Sequence, residues 1–146
     1  MRKEEDRLAL IENLPTDISL MATFEMFEIL NVEGARDICA DYTLSFAGPG
    51  GYFTSEAKAA REKGIRLYSM TNTGGLTWDI GFIPYEPFPY QWIERYKEME
   101  KANKEWGLCG LMESHHYGFY PSFISKLSKF AFFEPHEDYE KILKSI

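Results

Sequence analysis

The chain has 146 residues, of which 45% are hydrophobic, 16% aromatic and 27% charged, and its formal net charge is −7. This length and composition are typical of one folded domain and exclude a disordered chain. The negative charge, without any Lys/Arg-rich block, argues against a nucleic-acid partner, which would bind a basic face.

The N-terminal segment MRKEEDRLALIENL predicts an amphipathic helix that ends before Pro15. Its charges interrupt the apolar region that a signal peptide needs, and no stretch of the chain approaches the roughly 20 apolar residues of a membrane span. The two cysteines, Cys39 and Cys109, lie in apolar contexts without CxxC spacing, which favours buried free thiols. We therefore expect a soluble, cytoplasmic protein with no membrane partner.

Four short apolar segments alternate with helical patterns through the rest of the chain. The helix EAKAAREK is expected to begin at Thr54 or Ser55, which can cap it, and to end at Gly64. The next helix begins near Pro89, ends at Gly107 and carries an apolar stripe formed by Trp92, Ile93, Tyr96, Met99 and Trp106. Two further helices follow, in the segments PSFISKLSKFAF and HEDYEKILKSI. The predicted strands lie near residues 18–24, 37–42, 65–71 and 108–112.

Apolar strands that alternate with helices predict an α/β fold with a parallel sheet, strands in sequential order and helices outside. Four such units fit an open doubly wound sheet or half of a (β/α)8 barrel, which typically needs about 250 residues. The apolar stripe of the last helix (Ile142, Leu143 and Ile146) runs to the final residue, with no following strand to cover it. We therefore expect a partial TIM-type (β/α) barrel with about four parallel strands. Residues 1–146 then form a single α/β domain, completed by a homo-oligomer or by the missing remainder of the barrel.

Polar side chains follow the predicted strands at their carboxyl ends, where α/β folds bind ligands. Glu25 follows the first strand and Glu113 follows the fourth. Paired carboxylates across a cleft are what glycosidic cleavage needs, because one protonates the leaving oxygen while the other attacks or stabilises the sugar carbon. We expect Glu113 and Glu25 to be catalytic. The expected substrate-binding residues are Asn72, His115, His116, Trp78, Asp41 and Tyr117.

Two alternatives remain open. In a metal-dependent hydrolase Glu113, His115 and His116 would be the ligands, but adjacent histidines on an extended segment point to opposite sides and no HExxH spacing occurs, so no metal or other cofactor is expected. In a non-catalytic carbohydrate-binding or structural α/β domain, Glu113 is a solvated loop residue. A nucleotide site is excluded, because the turns AGPGG and NTGG match neither GxGxxG nor GxxxxGK[ST].

Two long segments carry a family resemblance: TNTGGLTWDIGFIPYEPFPYQWIERY and WGLCGLMESHHYGFYPSFISKLSKFAF. They resemble a group of uncharacterised bacterial proteins with a glycoside-hydrolase-like barrel, distantly similar to family 20 hexosaminidases and α-glucuronidases. The resemblance covers roughly residues 17–146, and MESHHYG is its most specific part. It implies that the chain corresponds to a later portion of such a barrel and that its ligand is a carbohydrate. Family 20 enzymes carry an Asp-Glu pair at a strand end, whereas Met112 precedes Glu113 here.

Overall fold

The computed structural model of the chain describes residues 3–38, 46–70, 88–112, 123–132 and 138–146. These residues form five helices and five strands in an α/β arrangement, which confirms the predicted class. The helices are α1 (Glu4–Glu12), α2 (Gly51–Lys63), α3 (Pro89–Trp106), α4 (Phe123–Ala131) and α5 (Tyr139–Ser145). The strands are β1 (Ser19–Thr23), β2 (Ile29–Val32), β3 (Ala35–Ile38), β4 (Arg66–Met70) and β5 (Leu108–Met112).

Three of the strands form a parallel sheet in the order β1-β4-β5. The first, third and fourth predicted strands are thus confirmed, and their order in the sheet follows their order in the chain. β5 carries one irregularity, because Leu67 pairs with Leu108 while Ser69 pairs with Leu111. The described ranges contain no closed barrel.

The strand predicted near residues 37–42 is present at residues 37 and 38, where the structure describes it, but its predicted place in the parallel sheet is wrong. β3 pairs antiparallel with β2 in a separate two-stranded sheet, and β1 pairs directly with β4, so no strand lies between those two. The hairpin turn places Glu33 at a φ of 50° and Gly34 at a φ of 83°, the left-handed pair that a two-residue type I′ turn requires. Every residue of β3 is exposed, and residues 39–42 lie outside the described ranges.

One face of the parallel sheet is covered by helices. α2 packs on β1 and β4, α3 packs on β5, and α2 also contacts α3, so the two helices lie on the same face. Ala22 and Leu67 are buried on that face. On the opposite face Met21 and Met112 remain 40% and 41% exposed. The expectation that both faces of the sheet are buried is therefore wrong at these positions.

The helix ends follow the sequence more closely than the helix starts. Gly64 and Gly107 end α2 and α3 in the left-handed conformation, as predicted, with φ values of 76° and 75°. α2 begins at Gly51, before the predicted cap residues, and its N-cap Gly50 has no capping side chain. Instead the Glu28 carboxylate accepts a hydrogen bond of 3.1 Å from the Gly51 N–H. A side chain distant in sequence therefore caps this helix, which local pattern cannot reveal.

The last helix is covered by the core rather than left bare. Ile142 is only 2% exposed, and Leu143 and Ile146 pack against the same core cluster. The expectation that this stripe lacks a covering element is therefore wrong, because α5 packs on α4, which in turn packs on α3.

The buried-thiol prediction also fails where the structure describes it. Cys109 is exposed in β5, and its thiol donates a hydrogen bond of 3.0 Å to the Leu67 carbonyl oxygen. Successive side chains of a strand point to opposite faces. The apolar residues beside Cys109 in the sequence therefore do not show which way the Cys109 side chain points. Cys39 lies outside the described ranges.

Candidate functional site at the carboxyl edge of the sheet

The carboxyl ends of the three parallel strands lie side by side. Met70, the last residue of β4, pairs with Thr23 at the end of β1 and with Met112 at the end of β5. Adjacent strands are about 4.8 Å apart, so the first and third strand ends are separated by about 10 Å. Three polar residues follow these ends within two positions along the chain, namely Glu25, Asn72 and Glu113.

Of the sequence-predicted site residues, the structure describes Glu25 alone. The other seven lie outside the described ranges, and their roles stay predictions: Glu113, Asn72, His115, His116, Trp78, Asp41 and Tyr117.

Glu25 is fully buried in an ion pair with Arg95 of α3. Its side chain is 0% exposed, that of Arg95 is 1% exposed, and Arg95 Nη1 lies 3.3 Å from Glu25 Oε2. Arg95 Nη2 also donates a hydrogen bond of 2.6 Å to the Phe46 carbonyl oxygen. The guanidinium carbon lies 5.8 Å from the centre of the Trp92 ring. One cation thus connects the segment after β1, the segment before α2 and the first half of α3.

Arg95 was missed by the sequence interpretation, although a signal was present. Residues 92, 93, 96 and 99 form the predicted apolar stripe of α3, and position 95 falls within that stripe. An arginine on a buried helix face requires a buried partner, because an unpaired charge in the core is strongly unfavourable. Its partner, Glu25, lies 70 positions earlier in the chain, so only the tertiary structure identifies it.

The backbone around Glu25 is held on both sides. The Phe24 carbonyl accepts a hydrogen bond of 2.8 Å from the Gly50 N–H. A Cβ added to Gly48 would lie 2.3 Å from Phe24 Cδ1, so only glycine permits this approach without movement of the ring. The Ser69 hydroxyl donates a hydrogen bond of 2.6 Å to the Ala22 carbonyl and joins β4 to β1 just before the exit. Glu25 is therefore presented from a fixed backbone.

The ion pair gives Glu25 an electrostatic role, and its burial limits the chemistry in which it can take part. Arg95 balances the charge of the carboxylate, and the helix that carries Arg95 fixes its direction. A carboxylate with no exposed surface does not meet bulk water, so any ligand that contacts it must approach through the residues at the sheet edge. Glu25 can therefore act only on a group that directly contacts its carboxylate.

A cavity of about 580 Å³ lies beside β5. Its described lining comes from α3 between Tyr96 and Asn103, from β5 between Leu108 and Leu111, and from Ala131 and Phe132 at the end of α4. None of these lining residues was predicted as a site residue. The signal that could have indicated it is Gly110 within an apolar strand, because glycine in a strand often marks a close approach by a ligand or another backbone.

Two further tests apply to the part of the chain that the structure describes. No group of three or more His, Cys, Asp and Glu side chains there could hold a metal ion. No helix among the same residues has both the length and the apolar character needed to cross a bilayer.

Comparison of the chain with protein-family models, with curated proteins and with solved structures found no match. The resemblance to the barrel family stays a prediction that depends on the sequence segments quoted above.

Proposed function

We propose that this chain is a glycoside-hydrolase-like domain that binds carbohydrate at the carboxyl edge of its parallel sheet and cleaves a glycosidic bond there. The alignment of Thr23, Met70 and Met112 at one edge carries the proposal. Because the three strand ends are neighbours, the residues that follow them in the sequence, Glu25, Asn72 and Glu113, can belong to one site. Ligand sites of parallel α/β folds occur at this edge, where loops vary without disturbing the core.

The arrangement of strands and helices supports a portion of a (β/α) barrel over a doubly wound sheet. The parallel strands follow one another in chain order, and α2 and α3 lie on the same face. A doubly wound sheet reverses its strand order and carries helices on both faces. In a barrel portion, the opposite face with Met21 and Met112 corresponds to the barrel interior.

The proposed division of roles follows from the spacing of the strand ends. Glu113 acts as the general acid, and Glu25, balanced by Arg95 at 3.3 Å, acts as the second carboxylate. Retaining glycosidases place their carboxyl groups about 5–5.5 Å apart, and inverting enzymes place them about 6.5–9.5 Å apart to admit a water molecule. Strand ends about 10 Å apart leave room for either separation, so the distance between the two carboxyl groups decides between the two mechanisms.

The test is turnover of a panel of aryl glycosides and glucuronides by the full chain and by three variants. Glu113→Gln should lower turnover about a hundredfold or more, because it removes the acid while keeping the shape of the side chain. Glu25→Gln should also lower turnover, with folding checked by circular dichroism. Glu94→Gln is the matched control, since Glu94 is an exposed carboxylate on α3. Unchanged turnover by Glu113→Gln would remove Glu113 from the chemistry.

A second candidate, a non-catalytic carbohydrate-binding domain, is favoured by the complete burial of Glu25. An ion pair with Arg95 gives this carboxylate a structural role that needs no chemistry. Oligosaccharide binding without turnover of any substrate by the unmodified chain would select this candidate. The absence of both binding and turnover would refute both.

A further inference from the structure

The cavity beside β5 has the size and lining of a small-molecule site. Its volume of about 580 Å³ falls within the range of about 300–1,000 Å³ that is usual for ligand pockets. Tyr96, Met99 and Leu108 form a buried apolar floor. The Phe132 ring, 46% exposed, lies edge-on to Tyr96 with ring centres 5.8 Å apart. The lining therefore offers the exposed Phe132 ring to a flat ligand, over a floor that the Tyr96 ring helps to close.

β5 leaves space for a ligand through its own sequence. Gly110 lines the cavity, and a Cβ added there would meet nothing within 4 Å. The pairing of β5 with β4 shifts register between Leu108 and Leu111, so Gly110 lies within a β-bulge. Bulges often occur beside functional sites, and glycine in a strand is otherwise unfavourable. The absence of a side chain at this position keeps the cavity open.

The charge of the described lining selects the class of ligand. Glu100 is the one carboxylate of the described lining, and it accepts a hydrogen bond from the Tyr139 hydroxyl. A carboxylate can accept several hydrogen bonds, and a partly buried one attracts a cation more strongly than one in open water. Asn103 holds the rim in place, because its amide donates a hydrogen bond of 2.7 Å to the Leu108 carbonyl.

We propose that this cavity binds a small aromatic amine, with the ring against Phe132 and the ammonium group at Glu100. The described lining residues of the cavity differ from the residues assigned to glycoside cleavage. The inference does not depend on the proposed function, since it rests on the cavity, on Gly110 and on the Glu100 carboxylate.

Cys109 provides a direct measurement, because it lines the cavity and is exposed. The sequence has two cysteines, so a Cys39→Ser variant leaves Cys109 as the only thiol. The rate of alkylation by iodoacetamide is measured without ligand and with increasing phenethylamine or hydrocinnamate, which share a phenyl ring but carry opposite charges. Phenethylamine should slow alkylation at a concentration about tenfold lower than hydrocinnamate requires.

Two substitutions of residues that line the cavity show where the ligand binds, and a third substitution is the control. Gly110→Val, which places a branched side chain on the cavity wall, should weaken protection by phenethylamine, whereas Gly51→Ala, a glycine substitution in α2 with equally open surroundings, should retain it. Glu100→Gln should retain binding of the ring but remove the preference for the amine. The proposal is overturned if phenethylamine gives no protection, if Gly110→Val is protected as well as the parent, or if the two ligands protect equally. Protection is expressed as a rate ratio within each variant, which cancels any change in intrinsic thiol reactivity.

Discussion

Removal of Arg95 should destabilise the domain strongly, because it leaves the fully buried Glu25 carboxylate without its countercharge. Arg95→Met keeps the length of the apolar stem but removes the ion pair at 3.3 Å and the hydrogen bond of 2.6 Å to Phe46. Loss of one partner of a buried pair costs about 3–5 kcal/mol. Domains of this size have about 5–15 kcal/mol of total stability, so at least about a fifth of it would be lost.

Urea unfolding, followed by circular dichroism and by tryptophan fluorescence, measures this change. With an m-value of about 2 kcal/mol/M, a loss of about 4 kcal/mol lowers the midpoint by about 2 M. Both signals are needed, because Trp92 lies beside Arg95 and the substitution itself changes Trp92 fluorescence without unfolding. Coincident transitions would show that the whole domain unfolds as one unit.

Two comparisons decide whether the ion pair is the cause. Lys97→Met is the control on the same helix: a hydrogen bond with Glu94 raises the pKa of Lys97, but both side chains are exposed, so its loss should change stability by no more than about 0.5 kcal/mol. The double variant Glu25→Gln/Arg95→Met should lose less than the sum of the two single losses, because neither charge is left alone. Strictly additive losses, or a cost below about 1 kcal/mol for Arg95→Met, would refute the reasoning.

Three further substitutions test the fold elsewhere. Gly48→Ala should destabilise by about 2 kcal/mol or more, because its φ is +83° and its Cβ would lie 2.3 Å from Phe24 Cδ1; thermal melting compares it with Gly51→Ala, and equal midpoints would contradict the contact. Glu33→Asn should raise the melting temperature by a few degrees, since asparagine tolerates the left-handed φ of 50° better; a fall would argue against the type I′ turn. Leu67→Ala should cost about 2–5 kcal/mol in urea unfolding, because Leu67 is 1% exposed in the central strand; a loss below about 1 kcal/mol would place it outside the core.

Elements governed by local chemistry were predicted well from the sequence. Prolines and glycines mark helix boundaries through their own backbone preferences, so Pro89, Gly64 and Gly107 lie where the pattern indicated. The apolar spacing of Trp92, Ile93, Tyr96 and Met99 predicted the buried face of α3, because helical periodicity is a property of neighbouring residues. The three strands of the parallel sheet were also identified from a local pattern, because each was read as a short apolar segment of neighbouring residues.

Errors arose where the outcome depends on contacts distant in sequence. The apolar segment near residues 37–42 was interpreted as a core strand, but the Glu33–Gly34 turn pairs β3 with β2 instead. The exposure of Cys109 depends on which neighbours β5 acquires, and local hydrophobicity does not encode that choice. Likewise the covering of Ile142 depends on where α4 packs.

The sequence by itself determined the helix ends, the apolar faces and the alternation of strand and helix, because these follow from backbone preference and from side-chain period. It also placed polar residues after the strand ends, which is the basis of the proposed carbohydrate site. Only the tertiary structure decided that Arg95 meets Glu25, that the strand ends at Thr23, Met70 and Met112 align, and that a cavity opens beside Gly110. Each of these depends on the free energy of packing between elements far apart in the chain, and no local pattern carries that information.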